Sequence, residues 1–357
     1  MTGPALRGVG ETLEAGRREG VAPGLAACVR VRGEVAHRSW HGDAQVMPAR
    51  RPLTERDLFD VASLTKVMAT GSLAALLVAG GAIELDAPAR RWLPGLPDDK
   101  AAITVRQLLA HASGLPAWRD LAARGGGRGA GVAAAMTEPL EAAPGARAAY
   151  SDLGFVLMGA LLEAVAGAPL DAQFAARVAG PLGLADTAFA GGVGPGRSFA
   201  AARRTPARGV ICGQVDDDNA FAMGGVAGHA GLFSTAPDVA ALGQAWIDAL
   251  AGRSAWLPAG VAARFAARDA APGSSRALAW DTPERGGPST FGTRLGRGAR
   301  GAIGHLGFTG CSLWVDLDRE VVCALLTNHV HPDGADRSRI NAFRARFHDA
   351  VAEAVGV

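Results

Sequence analysis

LFDVASLTK, residues 58–66, runs into an apolar series through Val67, Met68, Leu73, Leu76 and Leu77 that ends at the pair Gly80-Gly81. The apolar positions recur at helical spacing, so a helix begins near Ser63 and stops at the glycines. Ser63 and Lys66 stand three apart at its start, which puts both side chains on one face within reach of each other. At a helix N-terminus the unpaired N–H groups and the positive end of the dipole favour an alkoxide and disfavour an ammonium. The pattern therefore predicts a serine that is easily deprotonated and a lysine pushed towards its neutral, basic form. A Ser-x-x-Lys spacing recurs by chance in many proteins and gains meaning only from what surrounds it.

Composition adds the first support. The chain has 34 arginines and only two lysines, Lys66 and Lys100. Arginine cannot lose its proton in a protein and lysine can, so a lysine kept at this spacing is informative. With 357 residues, 49% of them apolar, the chain can bury a large core. The net charge is +2 with both signs interspersed, which excludes a nucleic-acid footprint and an electrostatic membrane anchor and leaves a small, near-neutral substrate as the simpler expectation. No window approaches the roughly 18 apolar residues of a membrane span. The N-terminal stretch carries charges and glycines where a secretory signal needs an apolar run, so the expected location is cytoplasmic. Cys28, Cys212, Cys311 and Cys323 show no C-x-x-C and no metal-finger spacing, which predicts free thiols and no structural zinc; no cofactor is expected.

Working outward, Gly10 to Arg18 reads as a short helix, and Leu25 to Val31 and Glu34 to Trp40 as two strands joined by Arg32-Gly33. Thr104 caps a helix ended by Gly114 and Pro116, and Leu153 to Ala166 and Asp238 to Leu250 are helical. The Gly-rich stretches 125–131, 191–197 and 285–301 read as loops. From Ala302 strands return, through GHLGFTG, Cys311 to Val315 and Glu320 to Thr327, before a closing helix, Arg339 to Ala354. Strands at both ends with helices between them predict a mixed α/β (α+β) architecture. An antiparallel sheet built from both termini and flanked by helices (1–75 and 271–357) carries an inserted, mostly helical lobe (76–270), with the site in the cleft.

Two further motifs carry chemistry. Tyr150-Ser151-Asp152 sits directly before an apolar helix, and Tyr150 is the only tyrosine in the chain. A phenol near a lysine can relay a proton between nucleophile and leaving group, while Ser151 or Asp152 can equally serve as a helix cap. Gly304-His305-Leu306-Gly307 lies on an expected strand, where a glycine lets substrate approach the backbone. His111 and His229 read as structural loop residues near the cleft, His329 and His331 are too few and too loop-like to argue a metal site, and Trp118 reads as a pocket-lining or packing residue.

In this order and at these separations the three motifs resemble those of the penicillin-recognising serine enzymes, which include class C β-lactamases, D,D-peptidases, D-aminopeptidases and β-lactamase-like esterases. The resemblance extends through ITVRQLLAHASGLP (103–116), GGVAGHAGLFSTAPD (224–238) and LLTNHVHP (325–332), and so over nearly the whole chain. It implies a β-lactamase/transpeptidase-like fold and an acyl-enzyme on Ser63, with Lys66 and Tyr150 sharing proton transfer and the backbone N–H groups of Ser63 and Phe308 forming the oxyanion hole. It also implies substrate contacts at the third motif, His305, Leu306 and Gly307; Asp152 and Trp118 are further candidates for substrate contact. Two departures bear on substrate. His305 replaces the lysine that β-lactamases carry, so it offers only a fractional charge at neutral pH and binds a carboxylate weakly. Asp152 replaces their asparagine. The expected activity is hydrolysis of an ester, an amide or a D-amino-acid-containing substrate. D,D-carboxypeptidase or β-lactamase activity is the alternative, and a catalytically silent binder of peptidoglycan fragments the reading from another class.

Overall fold

The computed structural model describes residues 6–283, 289–334 and 336–357. Of the loop expected over 285–301, residues 285–288 lie outside the described residues, and 289–301 form turns. Helix α1 (Arg7–Arg18) leads into β1 (Gly24–Val31), which turns at Arg32-Gly33, both at positive φ, into β2 (Glu34–Gln45). Such a turn matches the twist of a tight hairpin. The short strands β3 (Arg51–Pro52) and β4 (Asp57–Asp60) precede a π-helical turn, Lys66–Gly71, that continues as α2 (Ser72–Ala79). Next come α3 (Val105–Leu109), capped by Thr104 and Gln107 in a reciprocal box, α4 (Arg128–Thr137) and α5 (Asp152–Ala166). The stretch 125–131, expected as loop, is partly helical, because the alanine-rich run after Gly131 propagates a helix back to Arg128.

The chain continues through α6 (Leu170–Phe174), α7 (Gly180–Leu182), the two-residue strands β5 (Ala188–Phe189) and β6 (Ser198–Phe199), and the hairpin β7 (Arg204–Thr205) and β8 (Gly209–Val210). Helix α8 (Asp218–Ala222), β9 (Leu232–Ser234), α9 (Ala236–Leu250) and α10 (Ala259–Ala266) follow. Strands β10 (Ala302–Leu306), β11 (Ser312–Asp316) and β12 (Val321–Thr327) and helix α11 (Arg337–Ala354) close the fold.

The main sheet has six strands in the order β10-β11-β12-β1-β2-β3, antiparallel throughout. Strand β1 is apolar at nearly every position because both its faces are covered. Ala26 and Cys28 point into the core shared with α9 and the helical part of the chain, whereas Leu25, Ala27 and Val29 meet α1 and α11 through Val9, Leu13, Phe343 and Phe347. Each large apolar side chain buried this fully contributes about 1.5–3 kcal/mol. Although α9 falls within 76–270, it packs on β1, β11 and β12. A second sheet, β5-β9-β4-β6, anchors the chain entering Ser63.

Candidate active site

Ser63 stands between the end of β4 and the π-helical turn that begins at Lys66, so the lysine lies one turn beyond it, as the spacing predicts. Lys66 is wholly buried, and its Nζ donates to Ser63 Oγ (3.0 Å), Asp152 Oδ1 (2.7 Å) and the carbonyl of His229 (3.0 Å). An ammonium has three N–H groups, and here each has an acceptor. Burial works against the charge, but the Asp152 carboxylate and then the Tyr150 oxygen outweigh it and hold Lys66 above its usual pKa. The expectation of a lysine pushed to neutrality is thus corrected, because a helix start is a weaker influence than a carboxylate in contact.

Tyr150 is set by the entry to α5. Ser151 is the cap, accepting from the amide of Gly154 (3.1 Å) and donating to the carbonyl of Pro116 (2.6 Å). Asp152 is left free to turn towards Lys66. The amide of Ser151 donates to Nδ1 of His111 (2.9 Å), whose ring stacks on Tyr150 at 4.5 Å. His111, read from sequence as a structural loop residue, therefore also fixes the phenol ring. Tyr150 Oη donates to Ser63 Oγ (2.9 Å). Burial raises the Tyr150 pKa and Lys66 only partly offsets this, so at neutral pH Ser63 Oγ accepts from an ammonium and from a neutral phenol.

The third motif lies on β10. His305 is buried, and its Nδ1 is 2.8 Å from the carbonyl of Leu306; since a carbonyl can only accept, Nδ1 carries the proton and Nε2 keeps a lone pair without a partner among the described residues. Burial, then the charges of Lys66 and Arg276, hold His305 well below its usual pKa, so the ring is neutral rather than fractionally charged. Gly304 also departs from expectation. A Cβ there would lie 2.2 Å from the ring of Trp314 on the neighbouring strand, so the glycine makes room for a core side chain and not for substrate. Gly307 abuts the carbonyl of Val61 in the same way, at 2.6 Å. Phe308 is half-exposed beneath the guanidinium groups of Arg203 and Arg337, 5.6 and 5.0 Å from its ring. Neither the Ser63 nor the Phe308 amide donates to another group among the described residues, which leaves both available to a developing oxyanion.

Ser63, Tyr150, Asp152, His305, Leu306, Gly307, Phe308 and the exposed Trp118 line one cleft of about 580 Å³, and Lys66 lies buried behind Ser63. Sequence reasoning missed three groups on the same walls: Asp216 to Asp218, Arg276, and Arg337, Asn341 and Arg344 of α11. The last three share a helix face by spacing, yet nothing local in the chain says which way that face points. Arg344 is buried and donates to the carbonyls of Gly307 and Cys311 (2.8 Å each), while its Nε has no partner among the described residues. Burial lowers its pKa to about 10, so it remains a cation. Asp217 accepts from Nε2 of His229 (2.9 Å). His331 accepts from the amide of Val46 and donates to the carbonyl of Ala202, and both ring nitrogens of His329 face backbone carbonyls. Among the described residues no group of three or more His, Cys, Asp or Glu side chains is placed to hold a metal ion, and no single helix is long and apolar enough to cross a membrane.

A hydroxyl between an ammonium and a phenol, with two unengaged amides nearby, is a set of groups suited to acyl transfer from an ester or amide. The chain is 30% identical, over 91% of its length and 81% of the relative's, to N-acetylmuramyl-L-alanine amidase of Bacillus subtilis. It is also 30% identical, over 79% of its length and 71% of the relative's, to an Escherichia coli K12 protein named provisionally as a D-alanyl-D-alanine carboxypeptidase. Among solved structures, the fold matches EstCE1, a hydrolase with promiscuous acyltransferase activity, at TM-score 0.75 and 22% identity over 98% of both chains. The Beta-lactamase family model matches residues 9–346, and the chain accordingly belongs to the Beta-lactamase family and is a serine hydrolase.

Proposed function

We propose that this serine hydrolase cleaves an ester or amide bond through an acyl-enzyme on Ser63, with Lys66 and Tyr150 as its proton-transfer pair. The carrying observation is the double hydrogen bond to Ser63 Oγ, from Lys66 Nζ at 3.0 Å and Tyr150 Oη at 2.9 Å. The resting site holds one proton too many for attack. Loss of a proton from the Lys66–Tyr150 pair creates an acceptor for the Ser63 proton, and Oγ then bonds to the substrate carbonyl carbon. The oxyanion forms against the Ser63 and Phe308 amides. Tyr150 passes the proton to the leaving nitrogen or oxygen as the C–N or C–O bond breaks. Water then attacks the acyl ester, gives its proton to the same pair, and the product acid departs with Ser63 restored.

His305 supplies no cation, so a substrate carboxylate falls to the arginines of α11 in the cleft, Arg337 and Arg344, while Arg276, beside Tyr150, pairs with Asp281. Those arginines, together with the names of the carboxypeptidase and amidase relatives, favour a peptide-like amide of the peptidoglycan type within the ester-or-amide class. Incubation with a fluorophosphonate probe, followed by peptide mapping, is expected to place the adduct on Ser63; an adduct on any other serine overturns the assignment. Turnover of p-nitrophenyl esters, D-amino-acid anilides, a D-alanyl-D-alanine dipeptide and a chromogenic cephalosporin separates esterase, amidase, D,D-carboxypeptidase and β-lactamase. Neither adduct nor turnover would return the catalytically silent reading.

A further inference from the structure

We propose that Asp60 is a positioning residue that ties the nucleophile turn to two other segments of the cleft, a role that rests on the acyl-enzyme reading above. Asp60 ends β4, is 4% exposed, and bonds in three directions. Its Oδ1 accepts from the amide of Ala62 (2.8 Å), its Oδ2 from the amide of Asp216 (2.6 Å), and its backbone carbonyl from Thr309 Oγ1 (2.8 Å). Ala62 directly precedes Ser63, Asp216 opens the acidic wall, and Thr309 directly follows Phe308. One buried side chain and its carbonyl thus hold the neighbours of both amides assigned to the oxyanion.

The backbone shows why such a hold is needed. Ala62 has φ +48°, a left-handed conformation that an L residue other than glycine adopts only under constraint. The bond from its amide to Oδ1 is that constraint, and it sets the direction in which the chain enters Ser63. The second arm reaches Lys66 by a chain of contacts. Asp216 is gripped by Arg203 Nε (3.0 and 2.9 Å), and Asp217 accepts from His229, whose carbonyl accepts from Lys66.

The carboxyl is also placed to report on itself. Burial, then the charge of Asp216, push Asp60 up to about 7. The groups facing it are Asp216 and Asp217 from the acidic wall, Arg203 through its pair with Asp216, and the Cys311 thiol from the loop before β11. As a carboxylate Asp60 accepts from both amides; once protonated, the oxygen that carries the hydrogen becomes a weaker, uncharged acceptor for one of them.

The test measures fluorophosphonate labelling of Ser63 in the full chain, with circular dichroism as the check on folding. In Asp60→Asn the new NH₂ group faces an amide N–H, and the labelling rate at saturating probe is expected to fall about 100-fold, the size of an oxyanion-donor loss, with probe affinity little changed. Adding Ala62→Gly, which adopts positive φ freely, is expected to recover about tenfold of that loss, since it regains the turn without the aspartate. The wild type is expected to show an acid limb near pH 7 that Asp60→Asn lacks. A folded Asp60→Asn that labels at the wild-type rate, or no recovery on adding Ala62→Gly, overturns the proposal. If Asp60→Asn does not fold, Thr309→Val decides: about tenfold slower labelling supports the role and an unchanged rate overturns it. A wild type with no adduct on Ser63 would instead remove the acyl-enzyme reading itself, and that is seen before any variant is made.

Discussion

Lys66 is wholly buried, and its charge survives because three acceptors, one of them the Asp152 carboxylate, converge on it. Asp152 is the first residue of α5, where the helix N-terminus further favours a negative charge. Replacing it by asparagine keeps an oxygen for Nζ but removes the charge, leaving burial as the larger influence on Lys66. Asp152→Asn is therefore expected to move the rise of labelling or turnover with pH, which follows loss of a proton from the Lys66–Tyr150 pair, to lower pH; the same profile in both proteins, measured from pH 6 to 10, would sink this account. At this scale the sequence was informative where a residue type is scarce. Lys66 is one of two lysines and Tyr150 the only tyrosine, so each stood out. Arg344 is one of 34 arginines and did not. The neutral state of His305 was hidden for another reason, since it follows from burial by the fold and then from Lys66 and Arg276, distant in the chain.

Helix α5 shows how an element delivers a motif. Ser151 caps it, and the same hydroxyl reaches the carbonyl of Pro116, so Tyr150 and Asp152 are fixed on either side of a doubly bonded residue. Ser151→Ala loses the cap and strands a buried carbonyl, which should lower the unfolding free energy by about 1–2 kcal/mol. Because the capped turn also carries Tyr150, slower labelling of Ser63 is expected alongside; urea unfolding and labelling of the same preparation check both, and lost stability with unchanged labelling would separate the cap from the site. The long elements were legible because α5 and α9 repeat an apolar period over two turns or more, and β1 and β12 are largely apolar runs bounded by turn residues. The sheet β5-β9-β4-β6 was not, since its strands have two to four residues and β4 pairs with β6 and β9, far along the chain. No period can be read in so short a run. The direction in which α11 presents its arginines was hidden likewise, because it follows from the face that packs on α1.

Across the whole molecule the histidines should govern the acid side of stability. His111, His305 and His348 are deeply buried and held below their usual pKa, in each case chiefly by burial, His348 to about 4. They lie on both sides of the main sheet, His348 on α11 with its Nδ1 bonded to the carbonyl of Thr290 and the other two beside Tyr150. In the unfolded chain each takes up a proton near pH 6.5. Below that pH the unfolded state binds protons that the folded state refuses, so their contribution is complete above about 6.5 and is lost as pH falls towards the folded values. Asp60 acts in the opposite sense: its folded pKa of about 7 lies above the unfolded one, so between those values the folded state holds a proton that the unfolded chain has released, offsetting one histidine. At about 1.4 kcal/mol per pH unit for each net proton, stability should fall by about 2–3 kcal/mol between pH 6 and 5, a large fraction of the 5–15 kcal/mol typical of a folded domain. The urea midpoint is expected to stay nearly level from pH 8 to 7 and to drop steeply below 6.5. His348→Gln, which lies away from the cleft, should lessen that drop by about one proton's worth of slope. A midpoint level down to pH 5 would mean that the buried rings take up protons in the folded state, which the low-dielectric surroundings of His111 and His305 oppose.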